Sequence, residues 1–246
     1  NKEGGVTERQ FVIKGGRGPV PGIMWSPEAA EPPVPLVLFG HGGSGHKRNN
    51  RCLMLGRRLA GVSRFAVVAI DGPTHGDRAH PRSTSEGIDP MEVLADMGVD
   101  NALDGMLEDW CDTLDHISAL DNIDSDQVAY MGFSMGTRFG LPFVAAAGDR
   151  LRCAVLGKNA LEPSDEARMA NSPGHRFKKD APNIHVPVLF HMQWDDQLYL
   201  KETQCDLFDL IGAEDKRLIS YPGPHSRATP EAVDHWCHFI EGHLRG

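Results

Sequence analysis

The stretch Tyr130–Gly140, YMGFSMGTRFG, sets a serine between two glycines. Gly-x-Ser-x-Gly is short enough to arise by chance, so its flanks must decide its meaning. Ahead of it runs DQVAYMGF, apolar at successive positions and ending at the serine. Behind it comes MGTRFGLPFVAAAG, which reads as a helix, although Pro142 should disturb that helix unless it lies in the first turns. Strand, sharp turn and helix form the setting in which a serine is lifted to the edge of a sheet. Gly132 and Gly136 then have a steric purpose, because side chains there would collide across the turn. Ser134 becomes a candidate nucleophile. The amide of Met135, at the start of the helix, becomes a candidate donor to a developing oxyanion. The bland alternative is an ordinary glycine-rich turn.

Working outward, the same rhythm repeats. RQFVIKG and PVPGIMWSP read as an opening antiparallel pair. VPLVLFGHG, RFAVVAIDGP, LRCAVLGKN, VPVLFHMQW and KRLISYPG are short runs without polar alternation, as expected of strands buried on both faces of a parallel sheet. Between them, Val99, Leu103, Met106, Leu107, Trp110, Leu114, Ile117 and Leu120 recur at spacings of three and four and predict one long helix. KETQCDLFDLIG predicts another, with Gly212 as its cap. Thr229 and Pro230 open a last helix that buries Val233, Trp236, Cys237, Ile240 and Leu244. Strands alternating with helices predict one α/β domain over 1–246, with a mostly parallel sheet and helices on both faces. Two polar stretches, 72–90 and 159–182, interrupt the pattern. Both follow strands and so fall at the carboxyl edge, where such folds bind ligands. The second leaves room for a short lid insertion at 159–182.

Composition narrows the function. The formal net charge of −9 and the lack of any long Lys/Arg cluster speak against nucleic acid or an anionic membrane surface as partner. RFKKD near Arg176 reads as a solvated loop. Five scattered cysteines without C-x-x-C spacing argue against a disulfide framework or a zinc knuckle. The longest apolar runs are too short to span a bilayer, and the polar opening NKEGGVTERQ is not a signal peptide, so a cytoplasmic location is expected, although a start at Asn and not Met leaves room for a processed end.

A serine needs a base. His225 lies in PHSRATP, after the last strand and before the last helix, at the position that follows nucleophile and acid in the order Ser…Asp/Glu…His. The acid is sought where VPVLFHMQW ends in DDQLY. Asp195 is favoured over Asp196, because the first residue of the turn projects over the sheet edge. A second oxyanion donor is expected from LFGHGGSGHK: the amide of Gly43, with Ser44 as the alternative. Met192 and Trp194, beside the acid, could shape a pocket wall. His75, Asp77 and His80 in THGDRAHP could suggest a metal site, but nothing like H-E-x-x-H supports one, and a structural loop with Arg78 paired to a carboxylate is the better reading.

Taken in order, HGGSG at His41, DGPTHGDR at Asp71, GFSMG at Gly132, HMQWDDQL at His191 and PGPH at Pro222 make nearly the whole chain resemble the α/β-hydrolases, and most of all their dienelactone-hydrolase-like branch of small serine esterases. The resemblance implies a Ser134–Asp195–His225 triad, oxyanion donors at Gly43 and Met135, and cleavage of a small-molecule ester without metal or organic cofactor. Two departures stand out. Dienelactone hydrolases proper carry cysteine where Ser134 stands, and the related oligopeptidase domains usually carry glycine where Thr137 stands. The same triad could instead serve a thioester, an amide or a carbon–carbon bond, and the fold could serve as a ligand receptor.

Overall fold

The structure, a computed structural model, describes residues 2–163 and 172–245. The strands are β1 (Lys2–Glu3), β2 (Val6–Gly15), β3 (Gly18–Pro27), β4 (Val34–Gly40), β5 (Ala66–Ile70), β6 (Ile123–Gly132), β7 (Cys153–Gly157), β8 (Val188–Gln193) and β9 (Lys216–Tyr221). The helices are α1 (Asn50–Gly61), α2 (Pro81–Ser85), α3 (Pro90–Asp96), α4 (Val99–Ser118), α5 (Met135–Ala147), α6 (Gly174–Asp180), α7 (Lys201–Leu210) and α8 (Pro230–Leu244).

One sheet takes the order β1-β2-β3-β5-β4-β6-β7-β8-β9. β1 to β3 are antiparallel, β3 joins β5 antiparallel, and every pairing from β5 through β9 is parallel. The sheet is therefore mostly parallel, as the non-alternating strands predict. Successive residues of β4 face opposite layers: Leu36 and Leu38 pack with Trp110, Phe139 and Phe143, and Val37 and Phe39 pack with Leu55, Leu59 and Trp236. Helices α1 and α8 cover the second face and α4 to α7 the first.

This order locates the crevice. The chain leaves β4 toward β5 on one side and leaves β6 toward β7 on the other. Loops at the carboxyl ends of β4 and β6 diverge there and leave a cleft. The HGGSG and GFSMG segments are those two loops.

Several local expectations needed correction. Helix α1 was not evident from the sequence, although Asn49 caps it by accepting from the Cys52 amide and Cys52, Leu55, Gly56, Leu59 and Ala60 make a buried stripe. Two glycines and three arginines within it dilute the signal. Stretch 72–90 is not irregular throughout: it holds a 3-10 turn (Gly76–Arg78) and α2. RFKKD belongs to α6, with Arg176 2.6 Å from Asp104 on α4. The lid expected over 159–182 lies partly outside the described residues. Gly212 directly follows the C-cap residue Ile211 of α7 but does not cap it: its φ is not positive and its amide donates to the Ala181 carbonyl at 3.1 Å, while a Cβ there would come 2.2 Å from the Pro182 carbonyl oxygen, so close backbone approach requires glycine. Pro142 sits inside α5 without ending it. Eleven of the helix's thirteen residues are buried, and that packing outweighs the lost hydrogen bond.

Helix α5 reaches the sheet through glycine. A Cβ on Gly136 would stand 2.3 Å from the Gly40 carbonyl oxygen, and one on Gly132 would stand 2.7 Å from Gly136. Tyr130 fills the adjoining space, with its hydroxyl donating to the Gly136 carbonyl at 2.7 Å. Gly136→Ala is expected to destabilise the fold by about 1–3 kcal/mol, read as a lowered urea midpoint; a parent-like midpoint would mean that the helix is free to withdraw.

Candidate active site

Ser134 is the residue between β6 and α5, and its backbone is forced into φ 58°, ψ −118°. A serine rarely takes a positive φ, and the surroundings must hold it there. They do so from both sides. The Ser134 amide donates to the Gly157 carbonyl of β7 at 3.0 Å, and the Ser134 carbonyl accepts from Asn159 Nδ2 at 2.9 Å and from the Arg138 amide at 2.9 Å. Thr137, at the position where oligopeptidases carry glycine, ties the ends of β6 and β7 together. Its Oγ1 lies 2.8 Å from the Gly132 carbonyl and 2.7 Å from the Gly157 carbonyl, and it accepts from the Gly157 amide at 2.8 Å.

Ser134 Oγ lies 2.8 Å from His225 Nε2. Across the ring, His225 Nδ1 lies 2.7 Å from Asp196 Oδ2. The expectation that Asp195 faces the histidine is therefore corrected in favour of Asp196. Parallel pairing continues past the end of β8: the Trp194 amide donates to the Tyr221 carbonyl at 2.8 Å and the Asp195 amide to the Gly223 carbonyl at 3.2 Å. Asp195 is thus still in strand register, and its carboxylate accepts from the Gly223 amide at 2.7 Å. The next side chain is the first to turn over the edge. The Asp196 carboxylate is fully buried there, and its Oδ1 accepts from the amides of Leu198 and Tyr199 at 2.8 and 3.2 Å.

Gly43 and Met135 line the same cavity as Ser134 and His225, a space of about 550 Å³ that Met91, Tyr199 and Arg138 also border. The amide of Met135 opens α5 and carries the positive end of that helix's dipole. The Gly42–Gly43 peptide is fixed by its carbonyl, which accepts from His41 Nδ1 at 2.8 Å and from the Gly45 amide at 3.0 Å. A trans peptide points N–H opposite to C=O, so these bonds also aim the Gly43 amide. The Gly43 carbonyl in turn lies 2.7 Å from His75 Nε2, which sets the plane holding the Ser44 amide.

Buried groups brace these loops. His41 accepts the Gly72 amide at Nε2, and burial lowers its pKa to about 4. Asp71, fully buried, accepts the Lys47 ammonium at 2.5 Å and the amides of Lys47 and Asp77 at 2.9 Å. Arg78 pairs with buried Asp109 at 2.5 Å, as its sequence context suggests. Among the described residues, no three metal-ligating side chains come together, in THGDRAHP or elsewhere. Under the His225 loop, His191 accepts from Trp236 Nε1 at 3.2 Å and lies 3.1 Å from Gln193 Oε1, and burial lowers its pKa to about 4 as well. Met192 and Trp194 do not wall the cavity: Met192 is buried beside Cys205, and Trp194 is half exposed under the Lys201 ammonium. Sequence reasoning passed over Lys158, Asn159 and Tyr199. The first two directly follow β7 at the carboxyl edge, and that position was the available signal.

A family model described as the alpha/beta hydrolase fold matches residues 35–204. The chain belongs to the alpha/beta-hydrolase family. Among solved structures similar to this hydrolase-family chain is a cold-adapted esterase from an Arctic intertidal metagenomic library, 29% identical, covering 99% of this chain and 97% of that one, with a TM-score of 0.83. A dienelactone hydrolase-like promiscuous phosphotriesterase from metagenomic libraries is 21% identical, covering 98% of this chain and 99% of that one, with a TM-score of 0.70. An acetyl xylan esterase from Paenibacillus sp. R4 is 18% identical, covering 98% and 85%, with a TM-score of 0.75. The latter two are likenesses of fold. No curated protein matches the chain. No helix among the described residues is long and apolar enough to cross a membrane.

Two predictions follow from the geometry. Asp196→Asn is expected to slow fluorophosphonate labelling of Ser134 by about 10³–10⁴-fold, while Asp195→Asn changes it by less than about tenfold; the reverse ranking would restore Asp195 as the partner of His225. The neutral rings of His41 and His191 also set a pH dependence. As pH falls from about 6.5 to about 4, the unfolded chain binds protons that the folded rings refuse, so stability drops by up to about 3 kcal/mol per ring. Ring-proton NMR at about pH 5.5 should find both rings neutral, and a ring already protonated there would overturn the expectation.

Proposed function

We propose that this protein is a serine hydrolase that cleaves small carboxylic esters through an acyl-enzyme. The observation that carries the reading is the continuous chain of contacts from Ser134 Oγ through the His225 ring to the buried Asp196 carboxylate, 2.8 and 2.7 Å. The 29%-identical relative, itself an esterase, supports ester hydrolysis as the class of reaction.

The steps follow from the proton positions. Asp196 accepts a hydrogen bond from the Nδ1–H of His225, which leaves Nε2 free to accept from Ser134. As Oγ attacks the ester carbonyl carbon, its proton passes to Nε2, and Asp196 stabilises the imidazolium. The carbonyl oxygen takes the negative charge and accepts from the amides of Gly43 and Met135. Collapse expels the alcohol, which takes the proton from Nε2, and the acyl group stays on Oγ. Water enters, gives its proton to His225 and attacks the acyl carbon. The second collapse returns the proton to Oγ and releases the acid. Each residue ends as it began, and the chemistry draws on no metal or organic cofactor. The cavity of about 550 Å³ suits a small ester, with Met91 and Leu198 offering apolar contact.

Intact mass after incubation with a fluorophosphonate tests the nucleophile. One adduct is expected on the parent and none on Ser134→Ala, with turnover of a short-acyl nitrophenyl ester lost by about 10⁴-fold or more in the variant. An unlabelled parent, or a variant that keeps ester turnover, would overturn the reading.

A further inference from the structure

Lys158 is a buried lysine that the acyl-transfer chemistry does not use. It follows β7 directly, and its backbone takes φ 50°, a conformation unusual for a residue with a side chain. Its amide donates to the His191 carbonyl at 2.8 Å. Its side chain crosses beneath the cavity to the loop between β9 and α8. There Nζ lies 3.0 Å from the His225 carbonyl and also contacts the Arg227 carbonyl. The carbonyl between them, of Ser226, accepts from Arg51 of α1 at 2.9 Å. Three successive carbonyls of the loop that holds the base are thus taken by two cations.

We propose that Lys158 is a positioning residue for His225, its ammonium clamping the base loop so that Nε2 stays on the Ser134 hydroxyl. The proposal rests on the serine-hydrolase reading above. Lys158 is 1% exposed. A residue of that burial needed only for packing would be better served by an apolar side chain, since an ammonium there carries a desolvation cost. The carbonyls it bridges belong to a segment with no strand or helix of its own, and that segment must keep the His225 ring within tenths of an ångström.

The clamp is also poised to titrate. Burial, and then repulsion from Arg51, lower the Lys158 pKa to about 7, against attraction from Asp196. The charged and titratable groups around it are Arg51 on α1, His191 on β8, and Asp196 and His225 in the loops after β8 and β9. A lysine with a lowered pKa is charged below it and loses the charge as pH rises through it. The ammonium therefore holds the loop below about pH 7 and weakens above.

The test compares the parent with Lys158→Met and Lys158→Arg, reading fluorophosphonate labelling rate and ester kcat and KM from about pH 6 to 9. In Lys158→Met, labelling and kcat are expected to fall at least about tenfold with KM within about twofold. The parent's kcat is expected to decline as pH rises through about 7, and in Lys158→Arg, whose guanidinium keeps its charge, that decline should vanish. Parent-like kcat in Lys158→Met would overturn the proposal, as would a raised KM at unchanged kcat, which would make Lys158 a substrate contact. An alkaline decline that persists in Lys158→Arg would overturn it too. If Lys158→Met does not fold, judged by circular dichroism, the Lys158→Arg profile decides alone. A parent that is never labelled would overturn the serine-hydrolase reading and this proposal with it, whereas a labelled parent with an equally fast Lys158→Met overturns only the clamp.

Discussion

The close approach of helix α5 to strands β4 and β6 is the constraint on which the site depends. Gly40, Gly132 and Gly136 let backbone meet backbone at distances a single Cβ would forbid. With the helix drawn in that far, the chain has no room to pass from β6 into α5 except through a reversal at one residue. Ser134 absorbs that reversal in its positive φ. Strain at this point is held by packing and by bonds to β7, through Gly157, Thr137 and Asn159. The result is a hydroxyl held above the sheet edge at the head of a helix dipole, without any flexible side chain to order on binding.

Around that fixed point the other groups arrive on loops, and each loop is braced from below by buried polar groups. His41, His75 and the Asp71–Lys47 pair hold the segment around Gly43. His191, Gln193 and Trp236 support the end of β9, and Gln193 reaches the carbonyls of Tyr221 and Pro222. Gln197 accepts the His225 amide at 3.0 Å, and Lys158 and Arg51 take the carbonyls that follow. A site made on loops gains its geometry from such supports, since loops have no ladder of their own. Burying these polar groups is tolerable because their partners are present.

Much of this was legible in sequence. The elbow could be read because strand, turn and helix each leave a local signature and the glycines sit at a fixed offset from the serine. The parallel sheet could be read from runs such as AVVAI and VLFHM, apolar on both faces. His225, the histidine that meets Ser134, could be singled out from its place between the last strand and the last helix. Helix α1 escaped because its glycines and arginines mask a stripe that only the sheet beneath it reveals. Gly212 looked like a helix cap because a nearby glycine suits one, while its true neighbour, the Pro182 carbonyl, is 30 residues away in the chain.

The sequence by itself determined the family fold and singled out the serine, the histidine and the strand end that the structure brings together, because these depend on local pattern and chain order. Tertiary structure alone decided between Asp195 and Asp196. That choice turns on how far β8 keeps pairing with β9, and pairing between strands 28 residues apart leaves no trace in the residues DD themselves. The same holds for Lys158. Its side chain meets two carbonyls nearly 70 residues further on, on either side of the one Arg51 takes, and no spacing rule links a lysine after one strand to a loop after another. Local pattern fixes which elements form; which side chains meet at their ends is fixed by how those elements pack.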